Sequence, residues 1–254
     1  MLLLVGAIFG AVVVTAIRLP IPFPLCFRDD PLISKCVVKA AKSLKPHLRS
    51  GIEELEIPHL YQLTVPEITV SILDNNSHFE KTVHNLTFID MDTFKLRKVE
   101  FRPEDVTLEG NIKYKSLLYS EFFNMTGYVL GVPVNGARFF EGRMEGFDGR
   151  FVIKGEIFKK GGVDRCKVSD VKFDLQLQQI YGTLNAEKTE EFAVDDEFVY
   201  EYSKEVAKVF QLLYGQIFQT FLRKYLIKLC EDVPYSIVCY FPTSLSGSNN
   251  VPLW

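Results

Sequence analysis

The feature that most constrains the fold is a long apolar segment near the carboxyl end of the chain. Between Asp196 and Cys230 there is no proline and one glycine. Large apolar residues recur there every three or four positions, which is the spacing of one helical face. At about 1.5 Å per residue, the segment predicts a helix of about 50 Å. The apolar face is widened beyond the reach of one flat partner by Leu212, Phe218, Leu222 and Leu226. The helix therefore predicts a sheet that curves around it.

The middle of the chain alternates between apolar and polar residues, as half-buried antiparallel strands do. For example, Val171 and Phe173 fall on one strand face, opposite Lys172 and Asp174. Similar alternation runs from residue 68 to residue 184, and it is interrupted by pairs typical of hairpin turns: Gly110-Asn111, Asn135-Gly136, Asp148-Gly149 and Gly161-Gly162. The sequence predicts an α+β fold in which a highly curved antiparallel sheet, built as a meander, wraps a long C-terminal α-helix.

The chain begins with an apolar leader. Residues 1–16 carry no charged side chain and end in the small residues Val14, Thr15 and Ala16, where a signal peptidase would cut. A membrane anchor is the alternative, but a spanning helix needs about 20 apolar residues. We therefore expect a signal peptide at 1–16, a single domain at 17–254, and a secreted protein without stable membrane insertion.

A short helix is predicted directly after the leader, within residues 25–68. Pro31 suits a first helical turn, and apolar residues at helical spacing follow it. Pro46 should kink this helix or end it near Ser43, and Gly51 is a stop signal for any continuation.

Five cysteines in a secreted chain should mostly form disulfides and leave one over. Cys26 and Cys36 are close in sequence, and a disulfide between them would tether the short helix. Closing so short a loop stabilises a fold by about 2.5–3 kcal/mol. A local bridge between Cys230 and Cys239 is one possibility for the later cysteines.

Three sequons predict N-glycosylation, at Asn75, Asn85 and Asn124. Asn75 lies in a turn-forming sequence, so it should reach solvent. Asn85 should do so as well, because it shares a strand face with Thr87.

Three groups of motifs point to a known family. The first group comprises Cys26, Cys36, Lys45-Pro46-His47, Gly51-Ile52-Glu53-Glu54-Leu55, Ile57-Pro58-His59-Leu60 and Val65-Pro66-Glu67-Ile68. The second is the turn-like stretch from Gly127 to Gly136, and the third is Val233-Pro234-Tyr235. Together they resemble the juvenile hormone binding protein and takeout family of insect haemolymph. The resemblance implies the tubular lipid-binding superfamily fold, with an apolar cavity between helix and sheet. It also implies a second bridge between Cys166 and Cys230, as the alternative to Cys230 with Cys239.

With this resemblance, the sequence predicts a secreted carrier for a small lipophilic ligand, such as a juvenile-hormone-like terpenoid or a fatty acid. Apolar burial would drive binding at roughly 25 cal/mol per Å². Candidate ligand-binding residues are the hydroxyl donors Tyr114, Tyr128 and Tyr181, the lid residues Val37, Val38 and Leu44 of the short helix, and the apolar Phe173, Phe210, Leu213 and Ile217. The alternative is a secreted interaction or structural protein with the same fold and a filled core.

Several functional classes are not indicated by the sequence. It contains no Gly-x-Ser-x-Gly, Gly-x-Gly-x-x-Gly, Walker or His-Glu-x-x-His motif. Cys166 has no base positioned beside it in sequence, so disulfide pairing is favoured over a reactive thiol. The net charge of -3 and pI near 5.9 disfavour a nucleic-acid partner. We expect a monomer that is not an enzyme and that needs no cofactor or metal.

Overall fold

In a computed structural model of the chain, the described structure comprises residues 26–185, 189–232 and 235. The helices in it are α1 (Ile33–Ser50), α2 (Asp196–Glu201) and α3 (Ser203–Asp232). The strands described are β1 (Gln62–Asp74), β2 (Ser77–Ile89), β3 (Lys95–Arg102), β4 (Thr107–Val129), β5 (Val132–Pro133), β6 (Gly136–Lys160), β7 (Val163–Gln176) and β8 (Gln179–Leu184). They form one antiparallel sheet. The α+β class, the long C-terminal helix and the short N-terminal helix are confirmed. The predicted signal peptide lies outside the described residues.

The sheet wraps α3 because its two longest strands each change partner along their length. β4 and β6 pair with each other over residues 107–125 and 136–154. The other edge of β4 pairs with β3 and then with β2, and the other edge of β6 pairs with β8 and then with β7. The main path of the sheet runs β1-β2-β4-β6-β7, and α3 contacts both of its edge strands, β1 and β7. The sheet therefore encloses the helix, and right-handed strand twist accumulates along such long strands.

Two of the predicted turns lie inside long strands. Gly110 is within β4 and Gly149 is within β6. A Cβ on Gly149 would lie 2.2 Å from Cζ of Phe173, and one on Gly110 would lie 3.1 Å from Cζ of Phe151. These glycines make room for rings on neighbouring strands and do not reverse the chain. The predicted turn at Gly161 is confirmed, since that residue joins β6 to β7 with a φ of 61°.

The predicted C-terminal helix is divided at Tyr202. α2 ends there, with Tyr202 at φ -100° and ψ 26°, and α3 continues for 30 residues. The Tyr202 carbonyl still accepts from the Val206 amide at 2.8 Å. Asp195 caps the start of α2, because its side chain accepts from the Phe198 amide at 2.9 Å.

α1 continues through Pro46 and ends at Ser50. Of the two predicted effects of Pro46, a kink or an end near Ser43, the end near Ser43 is therefore wrong. The chain that follows α1 turns back on it and stabilises its last turns. The amides of Leu60 and Tyr61 donate to the carbonyls of the final turn. Gly51, with a φ of 80°, terminates the helix as predicted.

A disulfide between Cys26 and Cys36 ties α1 to the segment that precedes it, which is the tether predicted from the spacing. Cys26 is buried, and it packs in a small cluster with Ile33, Cys166 and Tyr235. The cluster lies beside the C-terminal end of α3, where Cys230 packs against it.

Aromatic rings fill the middle of the space inside the sheet. Phe218 of α3 lies 5.1 Å from Phe88, 4.9 Å from Phe147 and 5.7 Å from Phe173, measured between ring centroids. Buried aromatic pairs at these separations pack favourably. The open space that remains lies towards the other end of α3. Among the described residues, no helix is long and apolar enough to cross a membrane.

Candidate functional site

A cavity of about 50 Å³ lies between the sheet, α2 and the N-terminal half of α3. Most of its wall is apolar. The lining residues are Lys81, Tyr119, Glu121, Phe123, Met125, Val129, Val134, Phe140, Ile180, Leu184, Phe192, Val194, Phe198, Val199, Val206, Phe210 and Tyr214. Such a mainly apolar pocket with a few convergent polar groups is typical of small-molecule sites.

Strand alternation brings two opposite charges into this apolar space. On β2, Lys81 shares the inward face with Phe79 and Val83, and on β4 Glu121 shares it with Phe123. Lys81 is 1 % exposed and Glu121 is 2 % exposed. A buried charge is costly unless it is paired, so the two residues must be considered together.

Lys81 and Glu121 form a buried ion pair, through Nζ and Oε1. The hydroxyl of Tyr214 on α3 donates to the same Oε1 at 2.9 Å. Tyr119 completes this group, because its ring meets that of Tyr214 edge-on, with 5.3 Å between the ring centroids. We call these four residues the polar cluster. It joins β2, β4 and α3 at one side of the cavity.

Aromatic faces hold the cation of the cluster. The Lys81 ammonium lies 4.1 Å from the ring centroid of Phe123 and 4.9 Å from that of Phe210. A cation is attracted to the face of an aromatic ring, more strongly when water is excluded. The positive charge of Lys81 is thus compensated by one carboxylate and by the faces of two aromatic rings.

Burial sets the protonation of the cluster. Desolvation lowers the pKa of Lys81 from its ordinary value, and the charge of Glu121 and its hydrogen bond oppose this. Desolvation also raises the pKa of Tyr119 and of Tyr214 well above the ordinary value, so both hydroxyls remain protonated at neutral pH. The second oxygen of Glu121, Oε2, is buried and has no hydrogen-bond partner within the part of the chain that the structure describes. Glu121, which lines the cavity, therefore keeps one unused acceptor.

Of the residues predicted to bind ligand, Phe210 lines the cavity. Phe173, Leu213 and Ile217 are buried in the core but lie outside this lining. Phe173 packs against Phe218 in the filled middle of the molecule. Their role in ligand binding stays a prediction.

The three predicted hydroxyl donors lie apart from one another. Tyr114 is buried, and its hydroxyl donates to the carbonyl of Met91 at 2.8 Å. Tyr128 is 43 % exposed and packs against the ring of His78 at 5.0 Å. Tyr181 lines a separate, open groove. The structure does not bring these hydroxyls together at one site.

The proposed lid residues Val37, Val38 and Leu44 are half-buried on α1 and lie outside the cavity lining. Leu44 packs in a cluster with Leu229, near the C-terminal end of α3. The cavity lies beside the N-terminal half of that helix. α1 is therefore not positioned to cover this cavity.

The polar cluster is not among the residues predicted from the sequence, although the sequence carries a signal for it. Lys81 and Glu121 each occupy a strand position whose neighbours two residues away, on both sides, are apolar or aromatic: Phe79, Val83, Tyr119 and Phe123. A charged residue at such a position belongs to the buried face. The sequence therefore predicts two buried charges of opposite sign.

Among the described residues, Cys166 and Cys230 are free thiols that hydrogen-bond to each other. That hydrogen bond lowers the pKa of Cys166 and raises the pKa of Cys230. Cys239 lies outside the described residues, as do Val233 and Pro234 of the third motif. The sequon residues Asn75, Asn85 and Asn124 are all exposed. The described residues hold no group of three or more His, Cys, Asp or Glu side chains that could ligate a metal ion.

Comparison with known proteins gives a family and a fold. The family model for haemolymph juvenile hormone binding protein matches residues 2–239. The crystal structure of Takeout 1 from Epiphyas postvittana covers 86 % of this chain and 100 % of its own, with 14 % identity and a TM-score of 0.69. A crystal structure of lipopolysaccharide binding protein covers 80 % of this chain and 38 % of its own, with 15 % identity and a TM-score of 0.33. No curated protein sequence matches significantly.

Proposed function

The chain belongs to the haemolymph juvenile hormone binding protein family, and we propose that it is a secreted carrier that encloses a small lipophilic ligand without turnover. The ligand would be a juvenile-hormone-like terpenoid or an acyl lipid. The observation that carries this proposal is the cavity between α3 and the enclosing sheet, whose wall is apolar except for the polar cluster. Family membership confirms the resemblance predicted from the motifs.

The cavity must enlarge to hold such a ligand. Ligand sites commonly measure about 300–1,000 Å³, whereas this cavity measures about 50 Å³. Phe198 and Phe210 line it and are only half-buried, and outward rotation of their rings would enlarge it. Burying about 300 Å² of apolar ligand surface at roughly 25 cal/mol per Å² provides about 7.5 kcal/mol to offset this rearrangement.

The second candidate function rests on the packing of Phe218 and its neighbours, which fill the middle of the enclosed space. A filled core favours a secreted interaction or structural protein. The two functions differ in one measurable property. Only the carrier should bind an apolar ligand in the cavity after the protein has been delipidated.

Two valines on α3 provide a matched test. Val206 and Val209 are both 4 % exposed, but Val206 lines the cavity and Val209 does not. Val206→Phe places its extra atoms in the cavity, so it should reduce the affinity for a fluorescent lipid analogue by about tenfold or more and cost less than about 1 kcal/mol of stability. Val209→Phe overpacks the core, so it should cost about 1–3 kcal/mol and leave affinity near wild type.

Binding is measured by titration of delipidated protein, and stability by urea unfolding. If neither the wild-type chain nor Val209→Phe binds any apolar ligand saturably, the carrier function is wrong and the interaction protein is favoured. If both variants bind equally well, the ligand lies elsewhere than in this cavity.

We extend the proposal to processing and assembly. A signal peptide at 1–16, one domain at 17–254, secretion to haemolymph, glycosylation at the exposed sequons and a monomeric state fit a carrier. N-terminal sequencing of secreted protein should begin at residue 17. Intact mass before and after glycan removal should report occupied sequons, and light scattering should give one chain per particle.

A further inference from the structure

The polar cluster is neutral as a whole, because one buried cation meets one buried anion. Lys81 and Glu121 are each 2 % exposed at their side chains. Lys81 is surrounded by Glu121 and by the rings of Phe123, Phe210 and Tyr214. An additional charge placed in this cavity would therefore have no counter-ion left to pair with, and unpaired buried charge is strongly unfavourable.

One atom of the cluster is nevertheless unsatisfied. Glu121 Oε1 pairs with the Lys81 ammonium and accepts a hydrogen bond from the Tyr214 hydroxyl. Oε2 is buried and has no hydrogen-bond partner among the described residues. Glu121 lines the cavity. A carboxylate oxygen accepts but does not donate, so the complementary group on a ligand is a hydrogen-bond donor.

We propose that the cavity selects lipophilic alcohols, whose hydroxyl donates to Glu121 Oε2, over esters and carboxylates with the same chain. This inference rests on the proposed function, since it requires the cavity to open to a ligand. It narrows the ligand class from terpenoid or acyl lipids in general to those that end in a neutral hydroxyl.

The competing end groups each fail for a different chemical reason. An ester or an epoxide offers only acceptors, so it leaves Oε2 unpaired. A fatty-acid anion adds a second carboxylate beside Glu121 with one ammonium to share, and an aliphatic amine adds a second cation beside Lys81. A hydroxyl satisfies Oε2 and adds no charge.

Three ligands that share a twelve-carbon alkyl or acyl group test the proposal: 1-dodecanol, methyl dodecanoate and dodecanoate. The measurements are made at pH 8, where the acid is ionised. Each displaces the neutral dye Nile red from delipidated protein. Because a hydrogen bond to a charged group is worth more than a neutral one, dodecanol should bind about 10-fold or more tightly than either competitor. Equal or tighter binding of the ester or the carboxylate would overturn the inference and leave the carrier function intact. Displacement of Nile red by none of the three would likewise overturn the inference, and the absence of saturable binding by Nile red and by all three ligands would overturn the carrier function itself.

Two double variants test whether the preference for alcohols depends on the polar cluster. Lys81→Met/Glu121→Leu removes the acceptor and leaves no unpaired charge, so the ratio of ester to alcohol dissociation constants should fall to near one. Lys113→Met/Asp148→Asn removes a partly exposed ion pair outside the cavity lining and should keep the wild-type ratio. A preference unchanged in the cluster variant would overturn the assignment to Glu121. If that variant fails to fold, the wild-type ranking alone decides.

Discussion

Replacing Glu121 with leucine tests the energetics of the buried ion pair. In the folded protein, desolvation lowers the pKa of Lys81, while the charge of Glu121 and its hydrogen bond raise it. The substitution removes both raising causes and leaves desolvation. The folded state must then either hold an uncompensated ammonium or release its proton.

Release of the Lys81 proton sets an upper limit on the stability that Glu121→Leu loses. The ordinary pKa of lysine is 10.5, and deprotonation at pH 7 over 3.5 units costs about 5 kcal/mol at roughly 1.36 kcal/mol per unit. Removing one partner of a buried pair costs about 3–5 kcal/mol in general. We therefore expect Glu121→Leu to lower the free energy of unfolding by about 3–5 kcal/mol at pH 7. Lys81→Met/Glu121→Leu should lie within about 2 kcal/mol of wild type, since it leaves no unpaired charge.

The stability that Glu121→Leu loses relative to wild type should become smaller as pH rises. In Glu121→Leu the folded-state pKa of Lys81 lies below its unfolded value, so the unfolded state binds more protons and stability increases with pH between the two values. From pH 7 to pH 9, the variant should recover up to about 2.7 kcal/mol relative to wild type. Urea unfolding at both pH values, followed by far-UV circular dichroism, measures this. Glu80→Leu, at an exposed position on β2, should change stability by less than about 0.5 kcal/mol at either pH. A Glu121→Leu deficit below about 1 kcal/mol, or one that is equal at pH 7 and pH 9, would refute the reasoning.

Two further predictions concern the sheet and the cysteines. Gly149→Ala should cost about 1–3 kcal/mol in thermal or urea unfolding, because its Cβ would lie 2.2 Å from the ring of Phe173. The same change combined with Phe173→Leu should cost less than the sum of the two single changes, and strict additivity would contradict the steric account. Cys166 and Cys230, whose thiols are hydrogen-bonded to each other, should be joined by a disulfide in protein secreted through an oxidising compartment. Non-reducing peptide mapping should recover that bridge, whereas a bridge from Cys230 to Cys239 would show that the local alternative is correct.

The sequence predicts the helix and its enclosing sheet for a clear physical reason. An apolar arc too wide for one flat partner leaves few arrangements that bury it, and α3 does contact both edges of the sheet. The predicted turns at Gly110 and Gly149 were wrong. A local turn preference cannot show that a glycine is needed to make room for an aromatic ring on the neighbouring strand. That ring, Phe173 in the case of Gly149, lies in a different segment of the chain.

The candidate site is only partly accessible to sequence reasoning. Phe210 could be placed inside from helical periodicity alone, and Lys81 and Glu121 could be placed inside from strand alternation. Their pairing could not be predicted, because it depends on the register of β2 with β4 and on the position of Tyr214 along α3. The size of the cavity could not be predicted either, since it is a small difference between the volume enclosed and the volume of the side chains.

The most direct test of the account is a crystal structure of the delipidated chain grown with a saturating long-chain alcohol. We predict one ligand per chain inside the sheet, with its tail between α3 and the rings of Phe192 and Phe198, in a cavity enlarged beyond the present volume of about 50 Å³. The hydroxyl should lie within hydrogen-bonding distance of Glu121 Oε2. A cavity unchanged and empty at saturation, or a ligand seated on the outer face of the sheet, would contradict the proposal that this protein is an enclosing carrier.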